Sequence, residues 1–298
     1  MKEELTNIST SRCEDWDMSA PEYDAYASSQ QLYRESARYL VQRAELAANM
    51  TIVDLACGSG VVTETILREL GDAPARIIAV DFSPAMLAHA QKRITSDRVE
   101  FHCRKAEEIG EVVQTKVDRV ICNAAFWHFD MKLVLAEIGR LLKPTGRCLI
   151  NLPSDFLKNV NYFSQLYSTK KSIWMVMEEK ELRGYLQNRA GVQKSLPPNI
   201  ENRDDVFQNL AAYGLRLASV ESFDVQLPQR DYIGFLRIPI MARNSFLFRG
   251  VPAEEMADIL TTVANELEWI DEPASPTTWQ VYVLAAQGAA QETAGSVD

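Results

Sequence analysis

The run Thr51-Ile52-Val53-Asp54-Leu55-Ala56-Cys57-Gly58-Ser59-Gly60 constrains this chain more than any other stretch. It begins as a short β-branched apolar segment, the pattern of a strand buried on both faces. It ends in Cys-Gly-Ser-Gly, a turn in which two residues lack a Cβ and the backbone can approach a ligand closely. A helical pattern follows at once, with Val61, Val62, Thr65, Ile66 and Leu70 on one face and Gly71 at its end. Strand, glycine turn and helix form the nucleotide-cradling unit of doubly wound α/β folds. Asp81 lies about twenty residues beyond the turn, where such folds place a ribose-binding carboxylate.

The same alternation runs on to residue 153. Strands are expected at 51–56, 76–81, 99–103, 117–122 and 147–152. Ser83-Pro84 starts one intervening helix with a capping hydroxyl and a proline at its first position. A helix at 130–142 ends before Lys143-Pro144-Thr145-Gly146. Five strands separated by helices or short turns imply a parallel sheet with right-handed crossovers. Upstream, residues 1 to about 18 are weakly patterned, and an amphipathic helix is expected from Ser29 to Ala48. Downstream, the aromatic- and methionine-rich stretch 156–190 reads as helical, with a helix near 203–213, a strand at 215–225, more helix over 231–269 and a last strand at 278–285. The expected organisation is therefore an N-terminal helical lid (1–48), a ligand-binding core (49–153), a helical cap (154–200), more core (201–230), a second cap segment (231–274), a last strand (275–286) and a disordered tail (287–298).

Composition narrows the function. An apolar share of 47 % with 24 % charged residues suits a soluble globular protein with a good core. A net charge of −10 argues against a nucleic-acid surface, which relies on clustered Lys and Arg; Lys170-Lys171 reads as a solvated helix face. The five cysteines, at 13, 57, 103, 122 and 148, show no CxxC spacing, read as small buried hydrophobes and fit a reducing compartment. His102 and Cys103 are strand neighbours pointing to opposite faces, so no metal site is expected. No signal peptide opens the chain and no apolar run reaches membrane-spanning length, so a cytoplasmic location without integral membrane contact is expected. Other ligand classes fit poorly: the third glycine of a dinucleotide loop is replaced by Thr63, no Gly-Lys-Ser/Thr follows the turn, and no Gly-x-Ser-x-Gly elbow occurs.

Five segments together resemble the ordered motifs of class I S-adenosylmethionine-dependent methyltransferases, over roughly residues 45–153. They are Val53–Gly60, Val80-Asp-Phe-Ser-Pro-Ala-Met-Leu87, Ala106-Glu-Glu-Ile109, Asn123-Ala-Ala-Phe-Trp-His128 and Leu141-Leu-Lys-Pro-Thr-Gly-Arg147. The resemblance implies a Rossmann-like, seven-stranded, mostly parallel sheet with an antiparallel last strand, N-terminal helices and a helical cap. It also implies S-adenosylmethionine as cofactor and S-adenosylhomocysteine as product. By the same resemblance, Ala56, Gly58, Ser59 and Gly60 form the loop that meets the methionine portion, and Asp54 orients that loop and the ammonium. Asp81 takes the ribose hydroxyls, Phe82 and Met86 pack on adenine, Ala106 and Glu107 line its edge, and Asn123 and Ala124 offer carbonyls near the sulfonium. Two positions depart from the family pattern. Ala56 replaces the first glycine of the loop, and Lys105 stands where an aspartate often reads the adenine amino group, a role that would pass to Glu107 or to backbone.

Several side chains carry two readings. Phe82 and Met86, at i and i+4, also fit the core-facing start of a helix. Tyr23 and Tyr26 either pack the N-terminal helix or close over the ligand. His128, just beyond the fourth strand, is the candidate general base, or else packs at the start of the next helix. The aromatic and methionine content of the cap suits an apolar small-molecule acceptor of the specialised-metabolite or quinone-like type, with C-, N- or O-methylation open. Homo-oligomerisation is left open by the sequence. So is a second function class, in which the cofactor serves as scaffold for a cyclisation or rearrangement, or is only bound.

Overall fold

β1 (Thr51–Leu55) lies at the middle of a seven-stranded sheet of order β3-β2-β1-β4-β5-β7-β6. A computed structural model of the chain describes residues 13–153, 207–244, 251–267 and 275–288, with 173, 175–177 and 180 besides. The partners of β1 are β2 (Arg76–Asp81) and β4 (Val117–Asn123), both parallel to it. β3 (Val99–Cys103) flanks β2, and β5 (Leu142–Pro153) flanks β4, also in parallel. β7 (Ser275–Ala286) is antiparallel to both β5 and β6 (Leu215–Leu227), so it alone reverses direction. Strand order reverses between β1 and β4, and ligands of open α/β sheets bind at the carboxyl side of such a switch point.

Alternation along the strands divides the core. Val53, Leu55, Val120 and Cys122 face α5 (Met131–Leu141), whereas Ile52, Ile77 and Ile121 pack with α2 (Gln31–Arg43) and α3 (Val61–Leu70). Period-two side-chain direction with both faces covered explains why these strands are apolar throughout. α4 (Pro84–Arg93) is capped by Ser83, whose Oγ accepts from Met86 N at 3.1 Å, and α5 by Asp130, whose Oδ1 accepts from Lys132 N and Leu133 N. Arg119, buried on β4, donates to the Ala44 and Glu45 carbonyls and so satisfies the C-terminal end of α2.

A third cluster lies over the carboxyl edge of the sheet. It joins α1 (Cys13–Ser29), α6 (Gln229–Leu236), α7 (Pro239–Asn244), α8 (Ala253–Leu267) and Trp279 of β7. Ile173, Val176 and Met177 contribute to it, while Met175 is exposed. The rest of the expected cap at 154–200, residues 245–250 and 268–274, and the tail from 289 lie outside the described residues, as do Lys170-Lys171.

The structure corrects the sequence reading at four places. The helix expected over 29–48 is α2, which ends at Arg43, and a separate helix, α1, precedes it from Cys13 to Ser29 through a stretch that reads as weakly patterned. β5 begins at Leu142, not 147, because Lys143-Pro144-Thr145-Gly146 bulges out of a strand that already pairs Leu142 with Val117. A 3₁₀ turn over Leu210–Tyr213 replaces the end of the helix expected near 203–213. Finally, Cys103 is exposed and Cys13 half-buried, so only Cys57, Cys122 and Cys148 are core thiols.

Gly139 of α5 faces Tyr213 so closely that a Cβ there would run into the Tyr213 carbonyl. Gly139→Ala gains roughly 1 kcal/mol in helix propensity but overpacks this contact, at a cost of roughly 1–3 kcal/mol. We expect a lower urea midpoint for the variant; a raised midpoint would show that the contact relaxes without cost.

Candidate functional site

Two carboxylates meet at the carboxyl ends of β1 and β2. Asp81 is buried, with Oδ2 accepting from Gly58 N at 2.9 Å and Oδ1 from Ser83 N at 2.9 Å. These bonds fix the glycine loop to the loop after β2, and each oxygen keeps a further lone pair for a ligand hydroxyl. Asp54 is fully buried, with Oδ2 accepting from Thr63 Oγ1 at 2.5 Å, a bond that ties the end of β1 to the first turn of α3. Burial pushes Asp54 up to about 7 and Asp81 up to about 6, against the opposing effect of these hydrogen bonds. Asp54 Oδ1 and Ser59 Oγ are buried and have no hydrogen-bond partner among the described residues. Unpartnered polar atoms in an interior are costly, and here they flank the glycine turn. A ligand with an ammonium and hydroxyl donors would satisfy them, which is the donor set of the methionine and ribose portions of S-adenosylmethionine.

The loop backbone is special at several points. Ala56 adopts φ +57°, a left-handed conformation uncommon for a residue with a Cβ, where the family has glycine. The two glycines serve different ends. Gly60, at φ +91°, lies so close to α4 that a Cβ would come within 2.8 Å of Ile94 Cδ1, so its small size is used for helix packing. Gly58, at φ +54°, faces the N-terminal helical region, with the Tyr23 ring 3.5 Å from where its Cβ would be.

α1 opens that region. Asp17 and Asp24, two helical turns apart on one face, both reach α4. Asp17 Oδ1 accepts from Ser83 Oγ at 2.5 Å and Ala85 N at 3.2 Å; Asp24 accepts from Arg93 and lies 3.0 Å from His89 Nδ1. This docking carries Tyr23 over Gly58. Burial, then Asp81 and Asp54, raise the Tyr23 phenol well above its ordinary value, so it stays a protonated donor. Tyr26 points elsewhere, into the cap cluster against Tyr33 and Phe235.

The end of β4 forms the opposite wall. Ala124 is left-handed at φ +55°, and it is held by a residue that sequence reasoning missed. Asn151, fully buried at the end of β5, accepts from Ala124 N at 2.7 Å and donates to Asn123 Oδ1 at 2.6 Å. The only sequence signal was an amide inside the apolar run Cys148–Leu152 of β5. His128 sits in a short 3₁₀ turn (Phe126–His128), its ring edge-on to Trp16 of α1 at 5.4 Å and beside Trp127 at 5.3 Å. Burial lowers it to about 4, so the imidazole is neutral at physiological pH.

Beyond the end of β3, a cavity of about 300 Å³ is lined by Phe82, Lys105 and Glu108 among others. Met86 is fully buried and does not line it. Ala106 is buried and does not line it, and Glu107 Oε1 accepts from Asp130 N at 2.8 Å, so its carboxylate braces the start of α5. Lys105 is exposed at the rim.

Comparison with known proteins agrees with this geometry. A methyltransferase-domain family model matches residues 46–191. A malonyl-[acyl-carrier protein] O-methyltransferase of Bacillus cereus is 33 % identical over 216 residues, 72 % of this chain and 70 % of the relative. A demethylmenaquinone methyltransferase of Lactiplantibacillus plantarum is 29 % identical over 184 residues, 55 % of this chain and 77 % of the relative. Against other malonyl-[acyl-carrier protein] O-methyltransferases the match spans 44–47 % of the relative, so the chain spans about half their length. A Geobacter sulfurreducens S-adenosylmethionine-dependent methyltransferase solved with S-adenosylhomocysteine shares the fold, with TM-score 0.50 and 18 % identity over 90 % of this chain and 98 % of that one. The sheet order, the carboxylate-braced glycine loop and the match across most of the Bacillus cereus protein place this chain in the class I S-adenosylmethionine-dependent methyltransferase family.

Proposed function

We propose that the chain transfers a methyl group from S-adenosylmethionine to an apolar small molecule of the specialised-metabolite or quinone-like class. The observation that carries this reading is the pair of buried, partnerless oxygens, Asp54 Oδ1 and Ser59 Oγ, at a glycine turn braced by Asp81. When bound, S-adenosylmethionine supplies a methyl group already activated on a sulfonium. What this chain adds is orientation and exclusion of water. Asp54 and Ser59 would hold the ammonium, Tyr23 would donate its phenol to the methionine carboxylate, and Asp81 would accept from the ribose hydroxyls. Phe82 would pack on adenine above Ala106. The Asn123–Ala124 backbone, pinned by Asn151, would line the approach to the sulfonium.

The acceptor would meet Trp16, Trp127 and His128, which form an aromatic wall between lid and sheet. A relative named for demethylmenaquinone supports a quinone-like acceptor. His128, lowered to about 4, is a weak base above pH 5. Its neutral ring is suited to hydrogen-bonding an acceptor that has lost, or readily loses, its proton.

A second reading keeps the cofactor as scaffold for a cyclisation or rearrangement, or as a bound ligand alone. It draws on Lys105, a cation at the rim of the cavity where an acid commonly stands in the family. Incubation with methyl-labelled S-adenosylmethionine and a panel of quinones, phenols and small acids separates the two. Label in an acceptor supports transfer; tight binding with no label across the panel supports the scaffold.

Two substitutions test the residue roles. Asp81→Ala should weaken S-adenosylhomocysteine binding by tenfold or more in calorimetry, since it removes both the ribose acceptor and the brace on Gly58. Affinity within twofold of wild type would exclude the role. His128→Ala should slow labelled-methyl transfer by roughly 10²-fold while leaving cofactor affinity within about threefold. An unchanged rate near neutral pH would remove His128 from the chemistry.

A further inference from the structure

Two cysteines far apart in sequence converge on one atom. Cys13, the first residue of α1, donates its thiol to the Phe82 carbonyl with Sγ 3.2 Å from the oxygen. Cys103, the last residue of β3, donates to the same oxygen at 3.5 Å. The two sulfurs therefore lie no further apart than the sum of those distances, about 6.7 Å. Both are free thiols, one half-buried and the other exposed, and both line the cavity beside Phe82 together with Arg104, Lys105 and Glu108. Cys57, Cys122 and Cys148 are buried in the core and do not compete.

We propose that Cys13 and Cys103 form a reversible disulfide that ties the start of the lid helix to the end of β3 and shuts the cavity beside Phe82. The gating consequence rests on the reading of that cavity as the adenine side of the cofactor site. A bonded pair needs its sulfurs about 2 Å apart. Rotation of both side chains away from their shared acceptor, with a small approach of the first turn of α1, supplies the rest.

The oxidant is a low-molecular-weight disulfide. One cysteine thiolate attacks it, forming a mixed disulfide and releasing one thiol. The second cysteine then displaces the other thiol and closes the Cys13–Cys103 bond. Two protein S–H bonds and one S–S bond are lost, one protein S–S and two S–H bonds form, and two electrons pass to the oxidant. Burial, then Asp17, push the Cys13 thiol up to about 11. Burial and Asp81 raise Cys103, with Arg104 opposing. The reduced pair is thus protonated, and oxidation is slow at neutral pH. A tether at this point would hold α1 down through its N-terminal end, adding to the Asp17 and Asp24 contacts with α4.

The test equilibrates the full chain with defined ratios of oxidised to reduced glutathione at pH 8.5, followed by non-reducing peptide mapping by mass spectrometry. We expect one cross-linked peptide pair containing Cys13 and Cys103, reversed by dithiothreitol and absent from Cys103→Ser. Cys13→Ser should instead leave a stable glutathione adduct on Cys103. In stopped-flow measurements, association of S-adenosylhomocysteine with the oxidised protein should be at least tenfold slower than with the reduced protein. Failure of wild type to cross-link, or persistence of its glutathione adduct, would overturn the disulfide. A disulfide that leaves association unchanged would overturn the gating. Absence of any binding to the reduced protein would instead overturn the cofactor reading on which the gating rests.

Discussion

The rest of the site depends on two carboxyl groups that the fold buries together. Asp54, the last residue but one of β1, and Asp81, the last of β2, are buried near the carboxyl ends of adjacent parallel strands; the register pairs Asp54 with Ala79, and Asp81, two residues further along, is near enough for its charge to raise Asp54. Burying a carboxylate is costly, and the chain offsets the cost with donors from its own loops: Thr63 Oγ1 for Asp54, and the Gly58 and Ser83 amides for Asp81. The same bonds set the loop geometry. Without the acceptor at Asp81, the Gly58 amide would lose its anchor and the turn its fixed shape. The compensation is incomplete, because both groups are raised above 3.8, to about 7 and about 6. Each therefore binds a proton more tightly folded than unfolded. Their contribution to stability is greatest in acid and is lost as pH rises from near 4 towards 7. A bound cation and diol would recover it.

Backbone strain points to the same place. Ala56 and Ala124, both left-handed without being glycine, close neighbouring strands β1 and β4 at the switch point of the sheet. Each is held by its surroundings: Cys57 N bonds to the Val80 carbonyl, and Ala124 N to Asn151. Over this edge α1 brings Tyr23 and Trp16, and the 3₁₀ turn after β4 brings Trp127 and His128. On the proposed reading, the sheet makes the cofactor wall and the elements added to it make the acceptor wall. One family can keep the first while varying the second.

The core was legible because its signals are local. Strands buried on both faces are apolar whatever their neighbours, and Ser83-Pro84 and Asp130 cap their helices by contacts within three residues. Asp81 could be picked out by its spacing from the glycine turn alone. What was illegible depends on distant contacts. α1 contains Pro21 and a poor apolar stripe, and it is held by Asp17, Asp24 and its aromatics against α4 and the cap. Asn151 acts through partners nearly thirty residues away. Gly60 reads as a ligand contact, yet its small size serves α4. The meeting of Cys13 with Cys103 has no trace in spacing at all.

The most direct test of the site is proton counting. Binding of a ligand bearing an ammonium and a ribose diol should drive Asp54 and Asp81 to their charged forms. Calorimetric titration with S-adenosylhomocysteine at pH 6.5, in two buffers of different ionisation enthalpy, should then report release of roughly half a proton to one proton per chain. The release should vanish at pH 8.5, where both groups are already ionised. Equal heats in both buffers at pH 6.5, or proton uptake, would contradict the assignment of this buried pair to the cofactor.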